Sequence, residues 1–282
     1  MYPLFRGRVE EGDEGRWNLE PFVRPGVETN SLTSNNFVYP ILVPEPVVFY
    51  PLNKQFGTAD VMRRSQITGR SNNVSLTTGP FSTTDGAYEF WGDENSYIEF
   101  PNGDNLLDVH NSISLMCWVR PEGNDGPLFQ YNRYPLKWGV HIWINKGKFF
   151  NRIIEANYNN WKTPIVSKRR LERGKWVHVA ATYNHITGNN SIYVNGILNA
   201  TQNIGTGFRI AAGGKVRMGS VRVDKQKRFL RAAVSHMEVY NFSLNVNQIR
   251  AVMNKGNSTI NLIAFRLERR NSITKQLSVS TF

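Results

Sequence analysis

A chain of 282 residues with 40% hydrophobic, 12% aromatic and 20% charged side chains is long enough to bury a sizeable core and too apolar to remain unfolded. No stretch approaches the ~20 apolar residues of a membrane-spanning helix, and a single cysteine, Cys117, excludes an intrachain disulfide framework. The net charge of +12 is unevenly placed: residues 1–120 hold 9 basic and 15 acidic side chains, whereas residues 121–282 hold 25 and 7, so the second half suits an anionic partner.

From residue 1 to 46, Pro3, Pro21, Pro25, Pro40, Pro44 and Pro46 interrupt every regular pattern, and this part reads as an extended or partly disordered linker. From Val47 the texture changes to short apolar or alternating runs divided by Gly, Asn, Asp and Pro, the pattern of many antiparallel strands joined by tight turns. The strands expected in order are Val47–Leu52, Ala87–Trp91, Ser96–Phe100, Ser112–Arg120, Leu128–Tyr131, Trp138–Asn145, Lys148–Ile154, Lys175–Tyr183, Asn190–Asn195, Lys215–Gly219 and Phe229–Tyr240. Asn145-Lys146-Gly147 and Thr187-Gly188-Asn189-Asn190 read as hairpin turns, because Gly and Asn accept positive φ. One helix is expected from Leu244 to Asn254, with Ser243 as its N-cap and Gly256 as its stop. Residues 47–256 therefore form one domain, and residues 257–282 are a basic tail to which no structure is assigned.

The run Gly174-Lys175-Trp176-Val177-His178-Val179-Ala180-Ala181-Thr182-Tyr183 alternates faces: Trp176, His178 and Ala180 point one way, Val177, Val179 and Ala181 the other. With the following Ile192-Tyr193-Val194-Asn195-Gly196 it resembles the laminin-G/pentraxin branch of the concanavalin A-like superfamily. Tyr50-Pro51-Leu52, Phe90-Trp91-Gly92, Ser114 to Pro121 and Met237-Glu238-Val239-Tyr240-Asn241 fall in the family's order, so the resemblance covers about residues 47 to 256. It implies an all-β jelly-roll sandwich of two antiparallel sheets with one short C-terminal helix. It also implies an extracellular, non-catalytic recognition or adhesion module, a glycoprotein that binds glycans, glycosaminoglycans, or matrix and cell-surface proteins. Where many relatives carry an acidic pair, this chain has Val234-Ser235-His236-Met237. Met1 to Arg6 lack the apolar stretch of a signal peptide, which under that reading makes the chain a fragment of a larger secreted or membrane-attached modular protein. Five Asn-x-Ser/Thr sequons are close to what this composition yields by chance and decide nothing about compartment.

Glycoside hydrolases share the superfold and are the alternative reading. Their chemistry needs two carboxylates flanking the scissile bond, whereas Glu238 stands alone on its strand and Glu89, Asp93, Glu94 and Glu99 surround a turn. The 5 histidines form no metal-binding pair at helical spacing, His141 and His178 are expected to be hydrogen-bonded within the sheet, and no phosphate-binding loop or nucleophile elbow occurs. No cofactor is expected. Calcium, which relatives often hold through oxygen ligands, has Asp60, Asp85, Asp93 and Asn95 as candidates without a recognisable loop spacing. Trp143, between Ile142 and Ile144, is expected in the core, while Trp161, in a polar run, is the best ring for stacking on a sugar. The basic clusters supply the anion candidates: Lys168, Arg169 and Arg170 with Arg173, then Arg217, then Arg228 with Arg231. Nucleic acid would satisfy the same charge but has no motif in its favour.

Overall fold

Alternation of apolar side chains with a period of two residues is what stacks this chain into two sheets. Along residues 113–119, Ile113, Leu115, Cys117 and Val119 enter the core between the sheets, while Ser114, Met116 and Trp118 face outward. Along residues 177–183, Val177, Val179, Ala181 and Tyr183 do the same, and His178 and Ala180 face outward as the sequence alternation requires. Each fully buried Leu, Ile, Val or Phe contributes roughly 1.5–3 kcal/mol. The computed structural model describes residues 41–62, 64, 68–132, 139–157, 163–223 and 226–255. The expectations for residues 1–40 and 257–282, and those for Trp161 and Gly256, lie outside the described residues.

In chain order the strands are β1 (Val48–Tyr50), β2 (Arg70–Asn72), β3 (Val74–Thr77), β4 (Ala87–Trp91), β5 (Tyr97–Phe100), β6 (Ile113–Pro121), β7 (Gly126–Asn132), β8 (His141–Asn145) and β9 (Lys148–Arg152). They continue with β10 (Ile165–Val166), β11 (Val177–Tyr183), β12 (Asn189–Val194), β13 (Ile197–Asn203), β14 (Lys215–Met218), β15 (Ser220–Val223), β16 (Gln226–Phe229) and β17 (Arg231–Tyr240), followed by helix α1 (Val246–Asn254). The 8-stranded sheet runs β13-β12-β11-β6-β17-β4-β3, with β1 also paired to β17; the 7-stranded sheet runs β10-β9-β8-β7-β14-β5-β2. Every pairing between these strands is antiparallel. The described residues thus form a jelly-roll sandwich with one short helix among them.

Turn chemistry fixes the registers that matter for the site. Lys146 (φ 52°) and Gly147 (φ 71°) close β8 onto β9, and Asn195 (φ 51°) with Gly196 (φ 68°) closes β12 onto β13, both in the left-handed conformation that Asn and Gly tolerate. The register of β17 against β6 shifts between Ser235 and Glu238, and His236 (φ 53°) takes up the extra residue. Helix α1 lies on the outer face of the 8-stranded sheet, where Ile249 and Val252 pack on Met116, Ala180 and Tyr240. Its N-cap is Asn245, not Ser243. Asn245 Oδ1 accepts from the amides of Asn247 and Gln248, both at 3.0 Å, and Gln248 Oε1 accepts from the Asn245 amide at 3.0 Å. A cap needs Glu or Gln three residues on for this reciprocal bond, and Ser243 has Val246 there.

Candidate functional site

Four connections meet at one end of the sandwich. The β6–β7 loop (122–125) is anchored by Asp125, whose Oδ1 accepts from Gly147 N at 2.9 Å and whose Oδ2 accepts from Lys146 N, which ties it to the β8–β9 turn. The segment before β11 joins them: Leu171 N donates to Gly147 O at 2.8 Å, Gly174 N to Pro121 O at 2.8 Å, and Arg173 Nη2 to Glu122 O. The β15–β16 hairpin returns beside the same loop, with Arg231 N donating to Asn124 O at 3.1 Å. Gly123, Asn124, Asp125, Arg228 and Phe229 line an open recess of about 390 Å³, within the roughly 300–1,000 Å³ range of small-molecule pockets.

The charges gathered there are mostly positive. Lys146, Lys168, Arg169, Arg170, Arg173 and Arg228 are exposed. Among the acids nearby, Glu122 pairs with Arg120 at 2.7 Å, Glu172 pairs with Lys175 at 2.6 Å, and Asp125 is held by two backbone amides. No ion pair involves Lys146, Lys168, Arg169, Arg170 or Arg228 among the described residues. Lys168 is positioned by its amide, which donates to Asn199 Oδ1 on β13 at 2.7 Å. Clustered cations with unengaged heads raise the local concentration of any anion, and guanidinium forks match carboxylate and sulfate geometry.

Arg217 is not part of this group. It stands opposite Gln130 in the middle of the 7-stranded sheet, four residues into β7, roughly 13 Å from Gly126 along the strand. Its guanidinium lies 3.8 Å from the Tyr97 ring centroid, and its Nε is 3.9 Å from Glu99 Oε2. The same outward face carries Trp143, which is buried as expected but lies outside the cluster between the sheets. Ile142 and Ile144 fill the inter-sheet core, so the pleat turns Trp143 to the other side. There its Nε1 donates to Gln130 Oε1 at 2.9 Å, and its ring lies 5.2 Å from His141. His141 Nδ1 is bonded to Gly139 O at 2.8 Å, and burial holds the imidazole neutral, its pKa lowered to about 3. His178 departs from the expected hydrogen-bonded state: its Nδ1 is buried and has no hydrogen-bond partner among the described residues, and the ring of Trp118, its neighbour on β6, lies 5.3 Å away in a T-shaped contact.

Glu99 is the single carboxylate on the described strands of the 7-stranded sheet, and Lys215 holds it at 3.1 Å. Cys117 is buried and its thiol is pushed far up by burial, so it is no nucleophile. The calcium candidates do not converge. Asp60 accepts the amides of Phe49, Met62 and Arg64, Asp85 pairs with Lys54 at 3.0 Å, and Asp93 holds the turn at Asn95 and Ser96. Among the described residues no three His, Cys, Asp or Glu side chains are grouped to hold a metal ion, and no calcium-dependent step is assigned. None of the described helices is long and apolar enough to cross a membrane.

The family model for the concanavalin A-like lectin/glucanases superfamily matches residues 92–250. No curated protein matches the chain. Among solved structures, the botulinum neurotoxin serotype G binding domain is similar at 16% identity and a TM-score of 0.57, covering 74% of this chain and 50% of that one. The serotype D ligand binding domain in complex with N-acetylneuraminic acid gives 16% identity, a TM-score of 0.57 and coverage of 75% and 51%. Domain 4 of an extracellular arabinanase from Geobacillus stearothermophilus, in complex with arabinotriose, gives 16% identity, a TM-score of 0.55 and coverage of 75% and 99%. The match spans about half of the neurotoxin binding domains and nearly all of the arabinanase domain; at these identities the likeness is one of fold.

Proposed function

We propose that this chain, which belongs to the concanavalin A-like lectin/glucanases superfamily, is a non-catalytic, extracellular module that binds anionic glycans at the basic end of its sandwich. The observation that supports this reading is a set of exposed basic side chains on connections that hydrogen-bond to one another at one end of the sandwich: Arg228 lines the recess, Arg173 lies beside Gly123, and Arg170, which follows Lys168 and Arg169, lies beside Gly147 of the turn that carries Lys146. Two of the solved neighbours are complexes with N-acetylneuraminic acid and arabinotriose, which supports a saccharide as the ligand class. N-acetylneuraminic acid is itself a carboxylate-bearing sugar. Sulfated glycosaminoglycans, alone or on matrix and cell-surface proteins, offer the same charge in repeated form.

The division of labour follows from the chemistry of the end loops. In this reading the exposed Arg169, Arg170 and Arg228 pair with sulfate or carboxylate groups, Lys146 and Lys168 add point charges, and Phe229, which lines the recess with Asn124, offers an apolar surface for a sugar ring. Hydrolysis has no second carboxylate on the described strands of the 7-stranded sheet to work with Glu99.

Retention on a heparin column and binding to an array of sulfated and sialylated glycans test the reading. Arg169→Ala plus Arg170→Ala should elute at clearly lower salt than the wild type, and Arg228→Ala should lower it further. Unchanged retention in both variants, or turnover of a bound glycan, would overturn it.

A further inference from the structure

The seam where the recess meets the outer face of the 8-stranded sheet carries exposed groups that charge alone leaves unused. Phe90 on β4 and Ala232 on β17 enter the core between the sheets, so the next residues along, Trp91 and Arg231, face outward, and these two stand directly opposite each other in the register. Trp91 is 43% exposed and makes no ring contact among the described residues. Both backbones are fixed: Trp91 N donates to Ser96 Oγ at 2.9 Å, Arg231 N donates to Asn124 O at 3.1 Å, and Arg231 O accepts from the amides of Glu122 and Gly123 at 2.9 and 3.1 Å. A lone exposed ring would call for no explanation, but this one adjoins a gap in the surface made by two glycines.

A Cβ on Gly92, whose φ is 79°, would lie 3.0 Å from Arg231 Cβ and 3.2 Å from Asn124 Nδ2, so the turn after Trp91 borders the recess that Asn124 lines. A Cβ on Gly123 would lie 3.4 Å from Arg231 Cδ and 3.9 Å from Arg173 Nη2. Arg231 and Arg173, both exposed, thus approach one point above a residue that has no side chain of its own. Arg173 donates through Nη2 to Glu122 O, which leaves the rest of its fork for another acceptor. Among the described residues neither guanidinium meets a carboxylate: Glu122 pairs with Arg120, Glu172 pairs with Lys175, and Asp125 accepts two backbone amides. Two like charges converging with no acid between them form an arrangement that a bound anion stabilises.

We infer that one charged sugar unit of the bound glycan occupies this seam, its ring stacked on Trp91 and its sulfate or carboxylate held between Arg231 and Arg173 over Gly123. Opposed residues on antiparallel strands lie roughly 4.5–5.5 Å apart, so a single unit reaches from the indole to Arg231. Glu89, two residues before Trp91 and opposite Ala233, is the carboxylate that faces the same way, and it accepts hydroxyl groups while repelling further anions. The inference rests on the glycan reading of the basic end and adds what charge cannot supply: the electron-rich face of the indole attracts the C–H surface of a sugar ring and so favours a saccharide over other polyanions.

Calorimetric titration of the 282-residue chain with a size-defined heparin tetrasaccharide tests it, with inorganic polyphosphate as the probe that has charge but no ring. Trp91→Ala should weaken the tetrasaccharide about ten-fold with its salt dependence unaltered and leave polyphosphate binding unchanged, and Trp91→Phe should restore most of the loss. Arg231→Ala should weaken both probes about ten-fold and reduce the salt dependence of each. Melting curves establish that each variant is folded, and the exposed Arg231 serves even if Trp91→Ala does not. The inference is overturned if Trp91→Ala binds the tetrasaccharide like the wild type, if it loses polyphosphate equally, or if Arg231→Ala leaves both probes unchanged. Tetrasaccharide binding that Arg169→Ala plus Arg170→Ala weakens and neither of these variants touches sinks this inference alone, whereas a wild type that binds no sulfated glycan sinks the glycan reading with it.

Discussion

Glu238 makes the stability of this fold depend on pH in a way that one substitution can isolate. Burial raises its pKa from 4.5 to about 7, against the smaller opposing effects of the Tyr240 hydroxyl and of Lys255. Between those two values the folded chain binds more protons than the unfolded chain, so unfolding free energy falls as pH rises. The stability contributed by the neutral carboxyl is complete below pH 4.5 and is lost as pH passes through about 7. At 1.36 kcal/mol for each pKa unit, the loss is about 3 kcal/mol at most. His141 and His178, both lowered to about 3, act in the other direction: their contribution is whole above 6.5 and is lost as pH falls toward about 3. Glu238→Gln removes only the first effect. Urea midpoints measured from pH 4 to 9 for both chains should therefore diverge with rising pH, the variant becoming the more stable by up to about 3 kcal/mol above pH 8. Parallel curves across this range would refute the burial of the carboxyl.

Other substitutions test the fold and its caps. Gly219→Ala, at φ 87° with a Cβ only 2.3 Å from Phe90 Cδ1 and 2.5 Å from Ser96 O, should cost more than ~3 kcal/mol in chemical denaturation, as clash and backbone strain add. Gln130→Leu leaves the Trp143 indole N–H without its acceptor and should lower stability by about 1–3 kcal/mol, with a changed tryptophan emission. Asn245→Ala removes the cap of α1 and should cost about 1 kcal/mol, whereas Ser243→Ala should cost far less of the helical signal in circular dichroism. Arg217→Ala should leave heparin retention unchanged, since its charge is engaged by Glu99 and Tyr97 away from the basic end.

The strands that could be read in advance are those whose apolar side chains alternate clearly toward the core between the sheets. Ala87–Trp91 has the bounds expected, and β6 and β11 differ by one or two residues at an end, because Leu115, Cys117, Val179 and Ala181 mark the core side unambiguously. Strands β2 and β13 were not legible: their polar sequences, RSN and ILNATQN, belong to sheet edges that bury little. In the run HIWIN every residue but the last is buried, so neither periodicity nor composition could say which side Trp143 takes. Lys168-Arg169-Arg170 is visible as a charge run, but the tie between the neighbouring β8–β9 turn and the β6–β7 loop depends on Asp125 reaching the Lys146 and Gly147 amides, a contact across 21 and 22 residues. Lys146 was read only as a turn residue for that reason. A cavity on the outer face of the 8-stranded sheet draws Phe49, Trp118, His178 and Glu238 from separate strands and Phe81 from the β3–β4 connection, and no local pattern signals it.

The most direct measurement of the central claim is hydrogen exchange of the chain with and without a sulfated or sialylated oligosaccharide. Protection gathered in residues 122–125, 145–148, 167–175 and 228–231 is the predicted result. Protection confined to the outer face of the 7-stranded sheet around Tyr97 and Trp143, or none at a saturating concentration of the oligosaccharide, would contradict it.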